Sequence, residues 1–341
     1  MENMNFKRFY PDKNGGEVSM GERASLLALL PCPLKVPMER AFEQHLDMLE
    51  PAGGPVLEYL IEGNANNQLS YYPRVEQLEK EEEIPDVIIS PGLNSFFYKD
   101  FVDKFISRGV FADVSDSRPK SSIEKLEMKD PGGSYTMMAM NVLVMVADHE
   151  KMGGRALPKT WEDILQPEFE KSIAIRGQKD FFCETTLLTL YNSYGLEGIQ
   201  RLGRSTKYGW HPSQMVKMAG SASPDAPAVS VMPYFYAKTI RHKDKITVIW
   251  PEDGAIVSPV TMLVKKEKAE QLRYVTDFFA GAEAGKICAD ASFPSLHPQV
   301  DNGLPGSGVM NWLGWDFIRS NDIGALTGQL TKEFLKHYNH C

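Results

Sequence analysis

What the chain lacks narrows its chemistry first. Its four cysteines, Cys32, Cys183, Cys288 and Cys341, lie far apart with no CxxC or CxxH spacing, which argues against a zinc module. No apolar run reaches the roughly 18 residues that span a bilayer, so no membrane insertion is expected. Charge of one sign is also missing. The net charge is −8 from 37 basic and 45 acidic residues, and the basic ones are dispersed, which disfavours a nucleic-acid face or an anionic membrane surface. There is no GxSxG, HExxH, P-loop or GxGxxG motif, no repeat, no heptad series and no low-complexity tract. An enzyme reading is left with Cys183 as nucleophile and His211 as base.

What is present is a chain of 341 residues, 43% hydrophobic and 24% charged, enough for a sizeable core divided between two lobes. The stretch SLLALLPCPLKVPMERAF (25–42) reads either as an export signal with a lipidated Cys32 or as a strand, loop and helix. Asp12, Glu17 and Glu22 precede it, and Pro31 stands where a lipoprotein box wants a small residue, so the folded reading is preferred. A cytoplasmic location follows as the expectation, with reduced thiols. A periplasmic or cell-surface location is expected if an export signal is missing from this chain.

Leu26 to Leu30 is a continuous apolar run, as in a parallel strand buried on both faces. PCPLKVP is read as a turn, and Met38, Phe42, Leu46 and Leu49 share one helix face. PVLEYLIEG and PDVIISPG read as further strands, the latter followed by a helix carrying Phe97, Phe101 and Phe105 and closed by Gly109. MMAMNVLVMVA (137–147) and AIVSPVTMLV (255–264) are long enough to leave one sheet and enter another. Between them lie TWEDIL and TTLLTLYNSYG as helices and KSIAI, AVSVM and ITVIW as strands. The expected division is an N-terminal arm (1–22), lobe 1 (23–139 and 257–341, including the helices LRYVTDFFAGA and ALTGQLTKEFLKHY) and lobe 2 (140–256).

LPKTWEDILQPEFEKSIAI resembles the Pro-x-Thr-Trp-x-Asp-Leu-Leu-x-Pro-Glu-[Phe/Tyr] stretch of type 2 periplasmic solute-binding proteins of ABC transporters, the iron(III)-like subgroup included. WPEDGAIVSPVTMLVKKEKAEQLRYVTDFFAGAEAGKI is similar to that family's Gly-Ala strand and the helices after it. The resemblance runs in the family's order over roughly residues 25 to 300. It implies an α/β type 2 periplasmic-binding-protein fold: two lobes, each a mostly parallel sheet flanked by helices, joined by hinge strands near 140 and 256. It also implies a binding protein closing around a small ligand, with an ABC permease as partner if exported, or an intracellular sensor or carrier otherwise. Thr160 and Asp163 are expected to form a capping box, and Trp161 to pack the lobe.

In open α/β sheets, ligands settle outside the carboxyl ends of the strands. That rule places Pro31, Cys32, Ser90, Pro91, Gly92, Arg176, Cys183, Pro233, Tyr234 and Glu252 at the ligand, and His211 from GWHPSQ joins them as a candidate beside the two cysteines. Arg176 would clamp an oxyanion or carboxylate, and Ser90 and Gly92 would offer a hydroxyl and backbone N–H groups. Cys32 and Cys183, with His211, would hold a soft metal ion, the one candidate cofactor. Tyr234 and Tyr236, one residue apart, face differently, which argues against a paired-tyrosinate iron site.

Overall fold

A computed structural model describes residues 6–8, 24–49, 57–63, 71–115, 126–178, 181–305 and 308–339. In chain order they form β1 (Phe6–Arg8), β2 (Leu26–Leu30), α1 (Cys32–Met48), β3 (Leu57–Gly63), α2 (Tyr71–Val75), β4 (Val87–Pro91), α3 (Lys99–Phe101) and β5 (Tyr135–Asp148). Next come β6 (Ile173–Gln178), β7 (Phe181–Phe182), α4 (Glu184–Ser205), β8 (Thr206–Trp210), α5 (Pro212–Met218), β9 (Val229–Pro233), α6 (Tyr234–Ala237) and β10 (Ile246–Ile249). The chain ends with β11 (Ala255–Val264), α7 (Arg273–Phe279), α8 (Ala282–Asp290), β12 (Met310–Asn311), α9 (Trp315–Ser320) and α10 (Ile323–Asn339). Two compact units result. The first contains the described residues up to Met140 with Pro259–Asn302; the second contains Asn141–Ser258 with those from Gly303 on.

The first unit is a parallel run β1–β3–β2–β4, to which β11 adds an antiparallel edge through Val260–Val264. All five residues of β2 are buried, as the unbroken apolar run requires. Most of the expected arm lies outside the described residues, but Phe6–Arg8 joins the sheet beside β3. The PCPLKVP turn is corrected: it is the first two turns of α1. Pro33 sits at the second helical position, where its missing N–H has no intrahelical partner to lose, whereas Pro37 forfeits a bond inside the helix. α1 keeps its place because Leu34, Met38, Phe42 and Leu46 are buried on one face. Phe42 alone, packed between Tyr59, Phe278 and Phe279, contributes about 1.5–3 kcal/mol by burial. Phe97, Phe101 and Phe105 are all buried, and the backbone around 102–106 widens to a π turn that Gly109 closes at φ 73°.

In the second unit β5 pairs antiparallel with β9 and β10, and β6 runs parallel to β9 and β8. The long strands thus give β5 residues 143–148 to this unit and β11 residues 260–264 to the other. Gly177 and Gly209, on adjacent strands, admit the Phe182 ring: a Cβ at either would lie 2.5 or 2.7 Å from it. Phe182 then meets Phe334 of α10, with ring centroids 4.4 Å apart. This contact and the packing of α10 along α4 place 303–341 with the second unit, which corrects their expected membership of lobe 1.

TWEDIL does not form a helix. One 3-10 turn (Asp163–Leu165) stands there and a second (Pro167–Phe169) follows, although the capping box is present: Asp163 accepts from Thr160 N–H at 2.9 Å and donates its own N–H to Thr160 Oγ1 at 3.4 Å. Trp161 is fully buried and donates Nε1–H to Gly254 O at 2.8 Å. The TTLLTLYNSYG helix continues past a break at Gly195 to Ser205.

Candidate functional site

In the second unit the strand directions bring several chain ends to one sheet edge. β6, β8 and β9 are parallel and β10 runs the same way beside β5, so Arg176, Trp210, His211, Tyr234 and Trp250 all emerge together. Arg176 and Trp210 are register partners. The Arg176 guanidinium lies 5.9 Å from the Phe181 ring centre and is close enough to His211 for its charge to act on that ring. Among the described residues, no carboxylate pairs with Arg176.

His211 opens α5, and its Nδ1 lies 3.2 Å from Ser213 N and 2.7 Å from Ser213 Oγ. The tautomer that accepts from both Ser213 donors carries its hydrogen on Nε2. Burial first, and the Arg176 charge second, hold its pKa below the usual value, so the ring is a neutral N–H donor. Tyr236 meets this ring edge-on at 6.0 Å, while Tyr234 meets Trp250 edge-on at 5.5 Å. The two tyrosines therefore serve different neighbours. Tyr208 stacks on Trp210 at 4.0 Å, and Trp250 is fixed by donating Nε1–H to Val309 O at 2.6 Å. Arg176, Phe181, Trp210, His211, Tyr234, Tyr236 and Trp250 are all partly exposed. A cation and a neutral donor set among half-buried rings suit an anion on a flat organic body.

The other expected residues have different surroundings. Cys183 precedes α4, is only 6% exposed and donates its N–H to Arg176 O; His211, as shown, is engaged by Ser213 and not by a thiol. Cys32 is the exposed first residue of α1, in the other unit. Among the described residues, no group of three or more His, Cys, Asp or Glu could hold a metal ion. The expected Cys32–Cys183–His211 metal set is not supported. Pro31 and Pro233 are buried and precede α1 and α6. Glu252 is exposed and gives its N–H to Lys159 O, while Asp253 accepts from Trp161 N–H and Tyr194 O–H, whose pKa burial pushes up.

In the first unit, Ser90 is 2% exposed and its Oγ accepts from Asn94 Nδ2 at 3.0 Å. Gly92 donates its N–H to Pro259 O at 2.7 Å, and Pro91 O accepts from Asn94. These groups hold their own turn. Phe181, Trp210 and Trp250 were not singled out from sequence, and Tyr236 was weighed only as half of an iron pair. Trp250 ends ITVIW and was open to the same strand-end rule as Tyr234, whereas β8, TKYGW, is too polar and Gly-broken to read as a strand.

The family model for bacterial extracellular solute-binding proteins matches residues 82–321. No curated protein matches the chain significantly. Among solved structures, apo ferric ion-binding protein A of Pasteurella haemolytica is 14% identical with a TM-score of 0.65, over 91% of this chain and 96% of that one. AfuA from Actinobacillus pleuropneumoniae, with exogenous fructose-6-phosphate bound, is 12% identical with a TM-score of 0.63, over 94% and 99%. Trichodesmium IdiA (FutA), in complex with iron and citrate, is 13% identical with a TM-score of 0.61, over 92% and 98%. At these identities the likeness establishes the two-lobed periplasmic-binding-protein fold, and the family model, which spans well over half the sequence, establishes that the chain belongs to the bacterial extracellular solute-binding proteins.

Proposed function

We propose that this solute-binding protein takes a small organic oxyanion at the strand-end edge of its second unit and delivers it to an ABC permease. The observation that carries the reading is Arg176: a partly exposed guanidinium without a carboxylate partner among the described residues, backed by Phe181 and next to a neutral His211. An ionic group left unpaired in such surroundings is stabilised most by a ligand that completes it. Tyr234 and Trp250 form a wall for the body of the solute, and His211 Nε2–H supplies a second donor. Of the ligand kinds named for the similar structures, iron, citrate and a sugar phosphate, this donor set matches the two anions in its charge. Because the family is extracellular, we place binding outside the membrane in preference to the cytosolic sensor expected from the first residues. No described helix is long and apolar enough to cross a membrane.

Native mass spectrometry of the freshly purified chain, set against its denatured mass, tests the reading. An organic adduct that survives Cys183→Ala and is lost in Arg176→Ala is expected. An adduct lost in Cys183→Ala would return the thiol-dependent enzyme, and a bare metal adduct would end the oxyanion reading.

A further inference from the structure

Trp161 and Trp250 spend their indole N–H groups on backbone carbonyls, Gly254 O at 2.8 Å and Val309 O at 2.6 Å. Trp210 does not. It is half-buried, and among the described residues nothing accepts from its Nε1–H. One face of its ring is covered by Tyr208, two residues earlier on the same side of β8, with centroids 4.0 Å apart and planes 7° from parallel. The opposite face meets no other ring and no cation among the described residues. Arg176 is the register partner of Trp210 across β6 and β8, so guanidinium and indole rise from one face of the sheet, a strand spacing of roughly 4.8 Å apart. Gly177 and Gly209 lie on the other face, where Phe182 fills the space.

The surrounding groups favour an aromatic body for the solute over a sugar. Sugar hydroxyls need partners once they leave water, because a buried unpaired hydroxyl costs free energy. Of the nearby carboxylates, Asp253 is committed to Trp161 N–H and Tyr194 O–H, Asp225 accepts from Tyr208 O–H, and Glu252 is exposed. An aromatic body asks for no such partners and is met by ring faces. A carboxylate conjugated to its ring also lies in the ring plane, so ring and anion reach Trp210 and Arg176 as one rigid unit. Building on the oxyanion reading above, we propose that the solute is an aromatic or heteroaromatic carboxylate. Its ring lies on the uncovered face of Trp210 and extends the Tyr208 stack by one layer, while its carboxylate meets the Arg176 guanidinium and His211 Nε2–H. Tyr234 and Trp250 are left to the substituents at the far end of the ring. Trp210 then selects the body of the solute, as Arg176 selects its charge.

The test is isothermal titration calorimetry of the full chain with benzoate, nicotinate, cyclohexanecarboxylate and fructose-6-phosphate. Cyclohexanecarboxylate keeps the anion and the ring size but lacks the flat π face. Benzoate and nicotinate should bind about three- to tenfold tighter than cyclohexanecarboxylate, and tighter than fructose-6-phosphate. Trp210→Ala should lower benzoate affinity about tenfold and leave cyclohexanecarboxylate within about threefold of its parent value, which removes the preference. Trp210→Phe, which keeps a flat face on Tyr208, should restore it, and Arg176→Ala should abolish binding of all four. Equal or tighter binding of cyclohexanecarboxylate, no binding of either aryl carboxylate, or a preference unchanged in Trp210→Ala would overturn the proposal. Fructose-6-phosphate bound in place of benzoate and lost in Arg176→Ala would end this proposal and keep the oxyanion reading. Benzoate binding that survives Arg176→Ala would end both.

Discussion

The turn after β4 in the first unit and the strand ends of the second carry the same kind of residue in the same topological place, yet they differ in what is already bonded. Asn94 occupies Ser90 Oγ and Pro91 O, caps Phe96 N–H with its own Oδ1, and is 3% exposed; Gly92 N–H is held by Pro259 O. Arg176 has a ring and a neutral imidazole for company. A polar group at a strand end is a ligand group only if the fold has not used it. By that criterion the first turn is scaffold, and the second edge is the receptor we propose.

Arg176→Ala should separate the two most sharply. Removing one side of a close charge pair costs about 2–5 kcal/mol, so calorimetry with the adduct identified by mass spectrometry should show a loss of roughly 30-fold or more in affinity. The melting temperature should stay near the parent's, since the guanidinium touches Phe181 and no carboxylate. Asn94→Ala should do the reverse. It strands a buried hydroxyl and a carbonyl and removes a cap, so urea unfolding should report a stability loss of about 1–3 kcal/mol while affinity holds. If both variants lose mainly stability, the second edge is scaffold as well.

Much of this arrangement could be read from the sequence, but not evenly. β2 and β11 were legible because each is an unbroken apolar run, and the 255–264 segment matches β11 to the residue. Long-range packing was not legible. α10 has the same amphipathic pattern whichever sheet it covers, and its packing along α4 and Phe334 against Phe182, admitted by Gly177 and Gly209, decide the matter. PCPLKVP misled because its three prolines read as a turn, when Pro31 stands just before the helix and Pro33 where helices tolerate it. At the edge of the second unit, Arg176 and Tyr234 were named from strand direction alone, whereas His211 was named only as a partner for the cysteines. Whether Ser90, Gly92 or Cys183 remained free depended on partners such as Asn94 and Pro259, and side-chain satisfaction leaves no mark in spacing.

The aromatic part of the comparison predicts a smaller effect. Tyr234→Ala removes an edge-on ring pair with Trp250, a contact worth about 0.5–1.5 kcal/mol beyond its area. Affinity for a flat solute should fall roughly two- to tenfold by calorimetry, and quenching of Trp250 fluorescence by the bound solute should weaken with it. An unchanged affinity would move the solute off this wall and leave Arg176 as the whole of the receptor.

The smallest effect is pH-dependent, and its sign follows from His211. Without ligand, burial and then Arg176 hold its pKa below the ordinary 6.5, so the folded chain resists protonation there. That contribution to stability is present above the unfolded value and is lost as pH falls from it toward the folded one. An oxyanion on Arg176 cancels the cationic field and favours the imidazolium, which raises the pKa in the complex. Binding therefore takes up protons between the two values: affinity should be flat at high pH, rise as pH drops through the complex's pKa, and level off below that of the free chain. Calorimetry in two buffers of different ionisation enthalpy measures the uptake, at most about one proton per solute. His211→Gln should abolish it and leave the affinity of the high-pH limit. If the uptake persists in that variant, the proton goes elsewhere and His211 does not face the anion. A parent chain with no uptake at all would mean that the solute leaves the Arg176 charge uncancelled, and the open receptor edge would then be as closed to anions as the turn at Ser90.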